Sequence, residues 1–94
     1  MKPEAPRTQI SLGKTVITVN AMATLDPDSV QQALRRHATG DWGDLSPEDR
    51  QENDLSAREG FRILSAYTDP NGTKFWIITE ADRSATTVLL PEDY

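Results

Sequence analysis

The chain has 94 residues, with ten Lys and Arg against fifteen Asp and Glu, a formal net charge of −5, no cysteine and 36% apolar residues. Such a length supports one domain with a single modest core. The lack of cysteine excludes disulfides, thiolate metal sites and cysteine nucleophiles, and the negative balance argues against tight binding to a nucleic-acid backbone.

Residues 1–8, MKPEAPRT, hold three charges and two prolines without periodicity, which predicts a flexible leader ahead of a single domain over 9–94. The leader lacks the apolar run of a signal peptide, and no stretch is long enough to cross a bilayer, so the expected location is the cytoplasm. ISLGKTVITV then alternates β-branched residues around Gly13 and predicts a strand over 14–19. Asn20 is placed to cap a short helical turn through AMATL.

Asp26, Pro27 and Asp28 form the clearest helix start in the chain: a capping oxygen, a proline at the first helical position and a negative charge where the dipole favours it. Leu25 and Val30 stand where a hydrophobic staple would pack. Val30, Ala33 and Leu34 then recur at helical spacing as far as His37 or Ala38, and Gly40 supplies a left-handed cap. The helix is predicted over 27–38. A second start, Ser46–Pro47 with Asp49, predicts a helix running to Glu59 and stopping at Gly60. Its stripe is thin, with Leu55 and Ala57 as the main apolar residues. Residues 26–60 hold nine acids against four arginines, so this acidic middle accounts for the whole net charge.

The C-terminal third predicts a three-stranded meander. In TDPNGTK, Pro70 and Asn71 fit a type I turn and Gly72 the left-handed position of a three-residue hairpin loop. Tyr67 then faces Phe75, Ala66 faces Trp76, Ser65 faces Ile77, Leu64 faces Ile78, and Arg62 faces Glu80 as an ion pair. The second turn, ADRS, with Asp82 and Arg83 at its tip, sets Thr79 against Thr86, Ile77 against Val88, Trp76 against Leu89 and Phe75 against Leu90. One face, Phe61, Ile63, Tyr67, Phe75, Ile77, Val88 and Leu90, is the predicted core. The other carries Leu64, Ala66, Trp76, Ile78 and Leu89, too apolar to face water uncovered. Either the N-terminal segment with the turn around Met22 covers it, or a partner does. The expected fold is α+β: a three- to four-stranded antiparallel sheet, the meander plus the N-terminal strand, packed against two helices.

The polar residues left over lie in RRHATGDWGDL and ADRS. His37, the single histidine, can act as a general acid or base oriented by Asp41 or Asp44, or cap helix carbonyls and pack on Trp42. Trp42 can stack on a ligand or fill a gap between helix and sheet. Asp41, Asp44, Glu48 and Asp49 lack the alternation of a calcium loop, and neither a metal nor a cofactor is expected. Asp82, Arg83 and Ser84, backed by Thr86 and Thr87, can grip a phosphate or carboxylate, or simply build a turn. The expected binding residues are therefore Trp42, Asp41, Asp44, Trp76, Asp82, Arg83 and Ser84.

The strings HATGDWGDLSPEDRQEN, FRILSAY and FWIITEADRSATTVLLPEDY resemble a family of small bacterial proteins found on plasmids and integrated mobile elements, some of which carry a restriction-modification subunit label. The resemblance spans roughly residues 10–94. It implies a bacterial cytoplasm and a mobile-element context, and it marks His37, Gly40, Asp41, Trp42, Gly43, Asp82, Arg83 and Ser84 without assigning them a role.

These observations favour a non-enzymatic accessory protein acting through protein contacts, with an unidentified protein or a second copy as partner. An anti-defence variant has the acidic helix imitating DNA phosphates. The alternative is a small ribonuclease-like toxin in which His37, Arg83 and Glu80 converge on a scissile phosphate.

Overall fold

The computed structural model describes residues 9–94, so the leader expected over 1–8 lies outside the described residues. Strand β1 (Lys14–Ile17) leads into helices α1 (Val19–Thr24), α2 (Pro27–Ala38) and α3 (Pro47–Glu59), followed by β2 (Ile63–Thr68), β3 (Lys74–Thr79), β4 (Ala85–Leu89) and a 3-10 turn at Pro91–Asp93. The four strands form one sheet in the order β1-β4-β3-β2. No helix among the described residues is long and apolar enough to cross a membrane.

The local start and stop signals act as their chemistry dictates. Asp26 accepts the Ser29 N–H at 3.0 Å and caps α2. Ser46 accepts the Asp49 N–H at 3.2 Å and caps α3, and Gly60, at φ 83°, ends it. At the first hairpin the Asp69 N–H donates to the Thr73 carbonyl at 3.0 Å, while its carboxylate accepts from the Asn71 and Thr73 amides. The pairings from Ser65↔Ile77 to Tyr67↔Phe75 and from Trp76↔Leu89 to Thr79↔Thr86 follow the predicted register.

Two parts of the expected architecture are corrected. The sheet is mixed, because β1 runs parallel to β4, with Lys14 opposite Ala85 and Ile17 opposite Val88. No turn joins these two strands, so direction is set by distant contacts: the Lys14 N–H donates to the Ser84 carbonyl and the Thr18 N–H to the Val88 carbonyl, both at 3.0 Å. Gly13 permits this approach, since a Cβ there would lie 2.4 Å from the Arg83 carbonyl oxygen. Among the described residues the helices number three rather than two. The AMATL turn is a real helix that begins at Val19, and its cap is Thr18, whose hydroxyl accepts the Ala21 N–H at 3.1 Å, rather than Asn20. The strand expected over 14–19 therefore stops at Ile17.

The core lies between α2, α1 and one sheet face, with Ala21, Leu25, Val30, Ala33 and Leu34 packed on Tyr67, Phe75, Ile77 and Val88. Phe61 is not in it. Its N–H bonds the Ser56 carbonyl at 2.9 Å as part of the α3 cap, ahead of β2, and its ring is 55% exposed. Part of the second face is covered from within the chain, though not by the predicted segment: Leu12 and Ile17 join the core and Met22 is exposed, while Leu64, Ala66 and Trp76 stay partly exposed.

Residues 91–94 do the covering. Asp93 accepts from the Thr18 hydroxyl (2.6 Å), the Asn20 amide (2.8 Å) and the Leu90 N–H (3.1 Å). Held there, Tyr94 sets its ring 5.7 Å from that of Trp76 and accepts from Arg62 at 2.8 Å. Between Trp76 and Arg62 on this face lies the Leu64–Ile78 pair, and Ile78 is fully enclosed.

Because Thr18 both caps α1 and holds Asp93, Thr18→Val should cost ~1–2 kcal/mol in urea denaturation. Asn20→Ala, which removes one exposed contact, should cost less than half as much.

Candidate functional site

His37 ends α2 beneath the sheet with no exposed surface. Its Nδ1 meets Ser65 Oγ on β2 at 2.5 Å and its Nε2 meets Thr79 Oγ1 on β3 at 2.8 Å. Thr79 Oγ1 lies 2.8 Å from Thr86 Oγ1 on β4, and Thr86 donates to the Leu12 carbonyl at 2.7 Å. A hydroxyl has one proton, so the whole chain has one direction. Thr86 spends its proton on Leu12, Thr79 donates to Thr86, and Nε2–H donates to Thr79. Nδ1 is left bare and accepts from Ser65. Histidine is thereby held neutral in a single tautomer, and burial, with the nearby charge of Arg83 adding to it, pushes its pKa down to about 4.

The loop after α2 is committed to the outer edge of β2. The Ala66 N–H donates to the Trp42 carbonyl (3.3 Å) and the Asp44 N–H to the Ala66 carbonyl (2.8 Å), and Thr68 donates to the Asp44 carboxylate at 2.9 Å. One pair further along, the Asn53 side chain of α3 donates to the Leu64 carbonyl at 2.6 Å. Gly43 makes the approach possible: at φ +76°, a Cβ would lie 2.0 Å from the Ala66 oxygen. Arg36 grips Asp41 through two nitrogens, at 2.7 and 3.2 Å, and this contact holds the Asp41 carboxyl below the usual range. Trp42 is buried, packs edge-on to His37 at 5.7 Å and donates to Asp54 at 2.8 Å. It fills the gap between helix and sheet.

Arg83 is similarly occupied. Its guanidinium donates to the carbonyls of Phe61 (2.7 Å), Glu80 (3.1 Å), Ala81 (3.3 Å) and Ser56 (3.1 Å), which fastens the end of α3 to the second hairpin. Its backbone takes φ 63°, a left-handed conformation that costs a side-chain-bearing residue about 1 kcal/mol or more. Asp82 accepts the Ser84 N–H at 3.0 Å within the same turn, and Glu80 lies 3.5 Å from Arg62.

The predicted site residues thus fall into separate groups. Asp41, Asp44 and Trp42 line the β2 edge, whereas Asp82, Arg83 and Ser84 build the turn beyond Thr79. His37, Arg83 and Glu80 are each held by partners of their own. Asp44 and Trp76 do meet, lining a hollow of about 590 Å³ with Thr68, Lys74 and Pro91. Among the described residues no group of three His, Asp or Glu side chains could hold a metal ion.

Two features escaped sequence reasoning. Ser65, Thr79 and Thr86 are wholly buried; they share the strand parity of Ile77 and Val88, which was the available signal. The other is the outer edge of β1. By the parallel register, Lys14, Val16 and Thr18 turn their backbone groups towards β4, so Thr15 and Ile17 turn theirs outward, where no strand pairs with them among the described residues. Beside this edge runs an open groove of about 220 Å³ over Ile17, Val30 and Leu34, and Val16 and Met22, which line it, are 39% and 65% exposed.

Comparison of the chain with protein-family models, curated proteins and solved structures gives no match.

The neutral imidazole predicts a pH dependence. The unfolded state binds a proton near the ordinary pKa of 6.5 and the folded state only near 4, so stability is complete above pH 6.5 and is lost as pH falls through that window, by ~3 kcal/mol in all. Urea midpoints between pH 7 and 4.5 should show the loss, and the His37 Cε1–H resonance of the folded protein should stay at its neutral position at pH 5.5. Gly43→Ala should cost ~2 kcal/mol or more. Gly72→Ala, equally left-handed but with nothing within 4 Å of the added carbon, should cost only ~1 kcal/mol in the same denaturation.

Proposed function

We propose that the chain is a non-enzymatic binding module that acts through protein contacts, made at the open edge of β1. The supporting observation is the contrast between the two sheet edges. On β2, four consecutive outward-facing backbone groups, the N–H and C=O of Leu64 and of Ala66, are bonded by Trp42, Asp44 and Asn53. On β1, Thr15 and Ile17 present theirs beside an apolar groove. An exposed edge is a template for an added strand, and nearby apolar surface supplies the side-chain contacts that make such pairing tight. A bacterial mobile-element setting, implied by the resemblance, belongs to the same proposal.

Phosphate mimicry is not part of it. Arg50 and Arg58 interrupt the acids of α3, and Asp54 is engaged by the Trp42 indole N–H, so the carboxylates do not form two unbroken rows. Nor does a specific observation favour the ribonuclease-like alternative. His37 has both ring nitrogens bonded in the core, and the Arg83 guanidinium is directed at four carbonyls.

Photo-crosslinking tests the proposal. A photoreactive residue at the exposed Met22 should give a discrete protein adduct in cells of the source organism, and the same residue at Glu52 on α3 should give none. Thr15→Pro removes an outward-facing N–H while leaving the bonds to β4 intact, and it should abolish the adduct. An adduct indifferent to Thr15→Pro, or none at Met22, would overturn the proposal.

A further inference from the structure

The β1 edge is complementary to itself, in backbone and in charge. A strand laid antiparallel along it with its centre opposite Val16 sets Thr15 against Ile17 of a second copy, and Ile17 against its Thr15. All four are residues whose N–H and C=O point outward, so the pairing makes four hydrogen bonds in the two closely spaced rings of an antiparallel ladder. Val16 meets Val16 at the non-hydrogen-bonded position on the axis, where β-branched side chains approach closest. It is the half-exposed valine of this strand.

The charges follow the same symmetry. Lys14 falls opposite Thr18 of the other copy, on the same sheet face, and the Thr18 hydroxyl is the group that holds the Asp93 carboxylate, at 2.6 Å. Lys14 has no ion-pair partner among the described residues; the second copy would bring it a carboxylate at each end of the ladder. On the other face the groove is bounded by α2. Pro27 and Val30 lie beside Ile17 and Met22, while Arg35 and Ala38 lie beside Leu12, so α2 runs antiparallel to β1 with Gln31 near the middle. Asp28 and Arg35 are seven residues apart, on one stripe of the helix. Reversing the helix across the axis sets the end of α2 that carries Asp28 alongside the partner's end that carries Arg35, and the reverse.

We propose that the occupant of the β1 edge is a second copy of this chain, related by a twofold axis through Val16 and perpendicular to the sheet, so that two four-stranded sheets join into one of eight strands. The interface is isologous and closes on itself. It pairs both outward residues of each edge strand and roofs each apolar groove with the partner's Ile17 and Met22. This inference rests on the reading of the β1 edge as a contact surface and names its partner.

The chain has no cysteine, which gives a clean test. Residues facing each other at a non-hydrogen-bonded antiparallel position have Cα atoms about 4.5 Å apart, within the span of a disulfide. Val16→Cys should therefore oxidise to a covalent dimer at least about tenfold faster than Lys14→Cys, whose cysteines would lie at opposite ends of the ladder. Native protein should sediment at twice the 10.5 kDa of the chain, and Thr15→Pro at 10.5 kDa, with its far-UV spectrum unchanged. Lys14→Glu, which sets a carboxylate against Asp93, should raise the dimer dissociation constant about tenfold. A monomer at millimolar concentration would overturn the dimer, as would a dimer in which Val16→Cys oxidises no faster than Lys14→Cys. If the protein is a monomer but the Met22 crosslinker captures a different protein in a Thr15-dependent way, the second copy is refuted while the contact reading stands.

Discussion

His37 is the point through which the separate parts of this small protein are held in one arrangement. One imidazole joins α2 to β2 through Ser65 and to β3 through Thr79, and the same line of hydroxyls continues through Thr86 on β4 to the carbonyl of Leu12. Every buried polar side-chain atom among the described residues has a partner. That matters because an unpaired group at these positions would cost about 1–3 kcal/mol, a large share of the stability of a 94-residue domain. Apolar packing alone would tolerate small rotations of α2 on the sheet. A one-way line of hydrogen bonds does not, since each proton has a single place to go.

Consequences spread from there to both edges of the sheet. With the end of α2 fixed, the chain that leaves it meets β2 at Ala66, and Gly43 lets it come close enough to pair. Trp42, wedged beside His37, supports that loop from below. On the far side, the Leu12 carbonyl is drawn to Thr86 just before the chain enters β1, which sets β1 parallel to β4. The two residues at the loop tips with the most conspicuous chemistry, Asp41 and Arg83, serve as clamps in this scheme, one at each end of the segment between α2 and the sheet. The loops that look most like a site are thus used to close one edge, and they leave the other open.

Much of this was legible in the sequence where the determinants are local. Asp26–Pro27 and Ser46–Pro47 announce α2 and α3, and the Asp69–Gly72 turn sets the register of β2 on β3. Alternation then identified the core face. It failed where the decisive contact is distant. The direction of β1 depends on strand β4, some seventy residues away. Phe61 keeps the strand alternation but is claimed by the cap of α3. The residues Pro91–Tyr94 read as a polar tail, and only Thr18 and Asn20 turn them into a cover for Trp76 and Ile78. His37 was the hardest case, because a histidine with carboxylates nearby in sequence suggests acid–base chemistry. Its true neighbours, Ser65 and Thr79, come from strands whose parity places them beneath it.

The placement of charge bears on which edge can accept another chain. Five of the fifteen acids lie on α3, which packs beside β2, and in the order β1-β4-β3-β2 that strand is farthest from β1. Two copies meeting at β2 would bring both acidic helices together, a repulsion between like charges with little to offset it. Two copies meeting at β1 keep those helices at opposite ends of the joined sheet, several Debye lengths apart at physiological salt. Self-repulsion in a chain of net charge −5 is therefore smallest in the arrangement that pairs the open edge. The loop that seals β2 and the acids that flank it act in the same sense: both would direct association to the side of the sheet where Thr15 and Ile17 have no paired strand among the described residues.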